Sequence, residues 1–439
     1  MQKPLLTILL FYFISNALGQ SGEAYAKNDI TKDSSFHFKT APADSSTVKA
    51  IDSVVRGRYF KTGILNDSLH DFKEAIAAFT TAINIDTTFT LAYVRRGICK
   101  DSLNDAAGAI ADYSKAIAID PACKLAYVNR GIAKDNQEDY NGAIADYDSA
   151  LSIDSAYVAA YVNRGISKDN LGNFNGAIAD YTMAIALNKK HFIVYVCRGI
   201  SKDSLHDFKG SIADYTKAIE LDNKYLVAYY NRGMAKDSLH DYRGAVADYS
   251  KAIELNPSLI KLYLSRGIVK DSLQDYNGAI ADYTKFLSIE ADDIPTYNRR
   301  ALAKANAKDF LGALDDCSLA THIDPGNATA YKIKGAVKYK QQDYLGAIGE
   351  YNKAIQIDPL YGEAYRSRGY AKANLQDYNG AIGDYTKAID INPADGDAYY
   401  NRGIIKIVSK QQENGCTDLK KADALGHDGA KKLIKKYCE

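Results

Sequence analysis

The chain has 439 residues, 46% of them hydrophobic and 25% charged, which supplies enough apolar side chain for a packed core and excludes wholesale disorder. Its 55 basic and 54 acidic residues leave a formal net charge of +1, so no strong overall positive field draws it to nucleic acid, and any electrostatic role must be local. With 34 Tyr, 8 Pro and no Trp, the bias toward one aromatic is what a short segment copied many times produces.

Residues 1–20 read MQKPLLTILLFYFISNALGQ, with one Lys, an apolar run from Pro4 to about Ile14, and the small-residue pattern Ala17-Leu18-Gly19. This predicts a secretory signal peptide over 1–19. The run is well short of the ~20 residues that cross a bilayer, which disfavours a membrane anchor. Gln20 stands where a lipoprotein needs Cys. The expectation is an exported protein, periplasmic or secreted, with no membrane insertion after cleavage. Residues 20–55 are rich in Ser, Thr, Asp, Lys and Ala without apolar periodicity and are expected to form a flexible leader.

From residue 56 a spacing of 34 aligns a tyrosine eleven times without an insertion: Tyr59, Tyr93, Tyr127, Tyr161, Tyr195, Tyr229, Tyr263, Tyr297, Tyr331, Tyr365 and Tyr399. A Gly follows four residues later in every copy except the eighth, which has Ala301. A small residue follows at sixteen, as at Ala109, and an aromatic at twenty in nine copies, with Cys317 and Leu419 as exceptions. In residues 108–120, Ile110, Tyr113, Ile117 and Ile119 line one side of a 3.6-residue period, so each copy is read as two antiparallel helices joined by a short turn.

Tyr93, Gly97, Ala109, Tyr113, Ala116 and Pro121 stand at the spacing of the tetratricopeptide repeat, and the chain resembles that family over 56–429. The resemblance implies an all-α fold, a right-handed superhelical α-solenoid of antiparallel helix pairs. Departures are visible. Ten copies have Lys (Lys100 to Lys406) where the family often has an aromatic, and Phe286 replaces a small residue, which predicts looser packing around the seventh and eighth copies. The eleventh copy has lost its turn signature and is expected to run into a C-terminal cap helix over 428–439.

The copies also form an internal alignment. Arg stands three residues after the Tyr in nine copies and Asp nineteen after it in nine; the ninth has Lys334 with Glu350, and the first has neither charge. This predicts an ion pair between the two helices of a repeat, Arg130 with Asp146 and Lys334 with Glu350.

The resemblance places the first helices on a concave groove, with positions one, five and eight after the Tyr facing it. In the first seven copies the first two are apolar, as in Val94 with Ile98, Val128 with Ile132 and Val162 with Ile166. The eighth position there is an acid: Asp67, Asp101, Asp135, Asp169, Asp203, Asp237 and Asp271. The last four copies have Ala305, Tyr339, Ala373 and Ile407 there, with Asn298, Lys332, Arg366 and Tyr400 at the first position. Two readings of the acids stand side by side: solvated turn residues kept by copying, or a field for a basic partner. Asn129, Asn163 and Asn231 are flanked by Val128, Val162 and Tyr230 instead of Lys, which argues against the family's carboxylate clamp.

No motif for catalysis, metal or cofactor is found: the seven His never pair at i, i+4, and His70, His206 and His240 recur at one copied turn position. Cys416 and Cys438 are a candidate disulfide in the terminal cap. The function expected is a non-enzymatic scaffold, without cofactor, that holds a basic, partly apolar segment of another protein in its groove. The alternative is a spacer or self-assembling element of the envelope.

Overall fold

The computed structural model describes residues 45–439; the expected signal peptide and most of the expected leader lie outside the described residues. The leader is shorter than expected, because the first helix begins at Ser45 and continues to Ser68. Residues 45–55 contain neither Gly nor Pro, so nothing in the backbone stops the helix before the first repeat.

Among the described residues every regular element is a helix, twenty-three in all, in eleven antiparallel pairs and a terminal helix Ala430–Tyr437. Two compact parts divide at Leu239 and His240. The first holds repeats one to five and the first helix of the sixth; the second holds the remaining helix of the sixth, repeats seven to eleven and the terminal helix.

The third repeat shows why this sequence makes a hairpin. Its first helix, Lys124–Asp135, ends where Glu138 turns into the left-handed region at φ 62°, while the Asp139 N–H returns to the Lys134 carbonyl at 2.9 Å. Asp139 then caps the second helix, Tyr140–Ile153, its carboxylate accepting from the Gly142 N–H at 3.0 Å. His70, His206 and His240 occupy the equivalent left-handed position, so their recurrence belongs to the chain reversal. The second helices bear the core. Tyr147 is fully buried against Gly131, where an added Cβ would sit 2.6 Å from the ring. In the eighth repeat the smaller Cys317 replaces the ring, and Ala301 replaces the glycine. The smaller side chain leaves room for the added Cβ.

Phe286 is accommodated by a shortened helix. It is buried in a cluster with Leu287, Tyr297, Ala320 and Ala330, and its helix, Tyr276–Leu287, stops two residues short of the usual end. At the C-terminus the eleventh repeat closes its own second helix at Ala424 and breaks at Gly426, φ 83°, before the terminal helix starts. A Cys416–Cys438 disulfide, with Cα atoms 5.6 Å apart, fastens that helix to the last repeat.

Candidate functional site

Between the two helices of a repeat lies an ion cluster. Arg130 Nε and Nη2 donate to the two carboxylate oxygens of Asp146 at 3.0 and 2.6 Å, and Lys134 Nζ approaches Asp146 at 2.8 Å. The same triad recurs around Asp112, Asp180, Asp214, Asp282, Asp316, Asp384 and Asp418. The Asp are buried, so each needs this much compensation. The third guanidinium nitrogen, Nη1, reaches backward: Arg130 donates to Ser114 and Arg198 to Thr182 on the second helix of the preceding repeat, both at 3.0 Å. One side chain therefore ties a repeat to itself and to its neighbour.

The ninth repeat departs from the expected pair. Glu350 is held by Lys338 at 2.8 Å and Lys353 at 3.2 Å, and Lys334 makes no ion pair with it. The Lys338 contact is the one that Lys134 makes to Asp146; the longer acid adds Lys353, and the ammonium of Lys334 lacks the fork by which Arg bridges the helices. Burial opposes ionisation of Glu350, but Lys338 and Lys353 outweigh it and hold its carboxyl below the usual range.

The acidic row is not a ladder of solvated charges. Each Asp from the second to the fifth repeat accepts from the phenol of its own second helix: Tyr113 to Asp101 at 3.0 Å, Tyr147 to Asp135 at 2.6 Å, Tyr181 to Asp169 at 2.8 Å and Tyr215 to Asp203 at 2.6 Å. Two are bonded again from the next repeat, Ser167 donating to Asp135 at 2.7 Å and Ser201 to Asp169 at 2.8 Å. Burial raises both carboxyls to about 6 against the pull of these hydroxyls. In the first repeat Phe79 has no hydroxyl, and Asp67 instead meets Arg95 at 3.5 Å. Asp237 and Asp271 are half-buried. Burial pushes Asp271 up, opposed by the charge of Arg299, while the Tyr283 hydroxyl has no hydrogen-bond partner.

The expected apolar lining divides in the same way. Val94, Val128 and Val162 are only 0%, 1% and 8% exposed, so they fill the seams between helices and offer a ligand little; Val94 shares a cluster with Ala126 and Ala133 of the next first helix. Ile98, Ile132 and Ile166 remain half-exposed.

Repeats nine to eleven present other groups on the same face. Lys332 pairs with Glu363 at 2.8 Å, and Arg366 pairs with Asp395 at 2.6 Å and Asp397 at 3.2 Å. Tyr339 and Tyr370 accept from Asn374 and Asn401, and Tyr400 stacks on His427 with centroids 3.9 Å apart. Beside them an open cleft of about 370 Å³ is lined by Glu363, Arg366, Asp395, Asp397, Leu425 and His427, among others. The His427 Nδ1 accepts from the Gly429 N–H at 3.2 Å, leaving Nε2 toward Asp397 at 3.5 Å.

Models of the tetratricopeptide repeat match residues 91–123, 125–157, 227–259 and 362–395. The chain carries tetratricopeptide repeats. Among solved structures it is similar to YrrB, a tetratricopeptide protein described as having an unusual peptide-binding site, at 26% identity over 42% of this chain and 95% of that one, TM-score 0.38. Yeast Tom70 shares 15% identity over 87% of this chain and 94% of its own, TM-score 0.44. The C-terminal part of a tetratricopeptide protein from Cytophaga hutchinsonii shares 19% over 52% and 94%, TM-score 0.45. No curated protein sequence matches the chain at a significant level.

Two further columns of the repeat carry these contacts. The Lys seven residues after the first Tyr, present in ten copies, completes the triad wherever the Arg and Asp stand, and the hydroxyl or other small polar residue twenty-one after that Tyr (Thr80, Ser114, Asp148, Thr182) receives the next Arg. The phenol-to-Asp bond leaves only a partial trace in the sequence: both partners are absent from the eighth repeat, Ala305 with Cys317, and the eleventh, Ile407 with Leu419, but the ninth and tenth keep Tyr351 and Tyr385 without the Asp, and the first has Asp67 with Phe79.

Proposed function

We propose that this chain is a non-enzymatic protein–protein interaction scaffold and that its partner contributes a basic, partly apolar segment lying across the first-helix face of repeats nine to eleven. The observation that supports this placement is the contrast in where carboxylates stand. Asp135 and Asp169 are enclosed by hydroxyls inside the stack, whereas the Asp397 side chain is 55% exposed at the cleft with only long contacts to Arg366 and His427. Around the cleft Glu363, Asp395 and Asp397 face the cations Lys332 and Arg366, leaving a carboxylate in excess for an incoming Lys or Arg. Tyr370, Tyr400 and Leu425 offer apolar surface beside it.

A random peptide library displayed on phage and panned against the full chain tests this reading. The selected peptides should combine Lys or Arg with aliphatic or aromatic residues. They should bind Asp397→Asn about tenfold more weakly and lose affinity as salt rises. Acidic or uncharged consensus peptides, or affinity indifferent to Asp397→Asn, would overturn it.

A further inference from the structure

The outer face of the second helices holds a signal that the groove does not explain. Fourteen residues after the first Tyr, the other repeats have Lys, Ala, Asn, Arg or Glu, but the eighth and ninth have Leu311 and Leu345, each 74% exposed. Eighteen residues after it the first seven repeats have Ala, while the ninth and tenth have Gly349 and Gly383. Both glycines lie inside helices, exposed, and a Cβ added to either would meet nothing within 4 Å. Packing within the chain therefore gives no reason for their being Gly, although Gly in a helix interior is less stable than Ala by about 1 kcal/mol. Twenty-two residues after the Tyr, Leu319 replaces the Lys that stands in most neighbouring copies and is also exposed. Leu311 and Leu319 lie on one helical face around Asp315, and Leu345 shares a face with Gly349.

We infer that this face is the docking surface for a second copy of the same chain, joined by a two-fold axis that passes near Gly349. Projecting leucines and receding glycines stand side by side on adjacent repeats, so one surface contains both the knobs and the close-approach positions that an isologous contact requires. Helix-interior glycine lets two backbones approach, and Gly349 meeting its own counterpart at the axis uses that freedom. Three second helices, each of 14 residues and about 21 Å long, outline a face of roughly 600 Å² at ~10 Å of width per helix, somewhat below the ~800 Å² per partner of an ordinary interface. A formal net charge of +1 does not oppose the approach of two copies.

Sedimentation equilibrium of the full chain over a wide concentration range should show a monomer–dimer equilibrium. Leu345→Lys should abolish the dimer with the helical circular dichroism unchanged, since that side chain is exposed. Gly349→Ala should separate two effects that a merely structural glycine would not: a higher melting temperature of the dilute monomer, and dimerisation at least ~10-fold weaker. Gly349→Cys should cross-link two copies on oxidation, where the unsubstituted chain does not. A chain that stays monomeric at every concentration would overturn the inference and leave the patch to a different protein. So would a dimer indifferent to both Leu345→Lys and Gly349→Ala.

Discussion

Repeats two to five and repeats nine to eleven use the same helix positions for opposite ends. In the earlier group the residue eight after the first Tyr is an Asp turned inward to a phenol and, in the third and fourth repeats, to a serine of the next repeat. In the later group that Asp is gone, and polar, charged and aromatic side chains stand on the outside of the first helices. The lesson is that a regular row of charge in a repeat array is as readily internal wiring as a display. Which of the two it is depends on what the adjacent column can donate.

The comparison breaks most visibly at the ion triads, which repeats two to five share with the tenth and eleventh. Asp146→Ala leaves Arg130 and Lys134 without their buried counter-ion and should cost ~3–5 kcal/mol in urea denaturation, whereas Asp397→Ala, at an exposed pair, should stay within ~0.5 kcal/mol. Equal costs would erase the distinction between wiring and surface.

The pH dependence sharpens it. Asp135 and Asp169 have folded-state pKa values raised from 3.8 to about 6, so the folded chain holds their protons more tightly than the unfolded one. The stability this contributes is fully present below the unfolded value and is lost as pH rises through about 6, up to ~2–3 kcal/mol for each group. The double variant Asp135→Asn, Asp169→Asn should therefore gain stability relative to the parent between pH 4 and pH 7, read from melting temperatures across that range. Asp86, Asp154 and Glu363, whose carboxyls hydrogen bonds hold low, act in the other direction and in a more acidic window. A smaller effect separates two tyrosines. Tyr147→Phe removes a bond to a half-buried carboxylate and should cost ~1.5–3 kcal/mol, while Tyr283→Phe removes a buried hydroxyl without a partner and should be neutral or stabilising.

The period, the helix pairs and the Arg130–Asp146 contact could all be written down from the sequence, because a copied chain supplies its own alignment. The interior position of the Asp row could not be read from its regularity. The phenol that binds it stands twelve residues away on the other helix, and the joint loss in the eighth and eleventh repeats is offset by the first, ninth and tenth, which keep one partner without the other. Lys334 departs from the expected pair because charge is kept while geometry is not: Lys338 keeps the contact that Lys134 makes in the third repeat, and Lys353 takes the place of the missing guanidinium. Val94 and Val128 misled because the periodicity that puts a residue on the groove side does not say how closely the next helix covers it.

The central claim, that the acidic row belongs to the interior, is tested most directly by titrating the carboxyl carbons of Asp135 and Asp169 by NMR, with signals assigned from the two single Asn variants. The account predicts midpoints near 6 for both. Midpoints near 4, as for carboxylates in water, would show that the two side chains are solvated and would return the row to the surface.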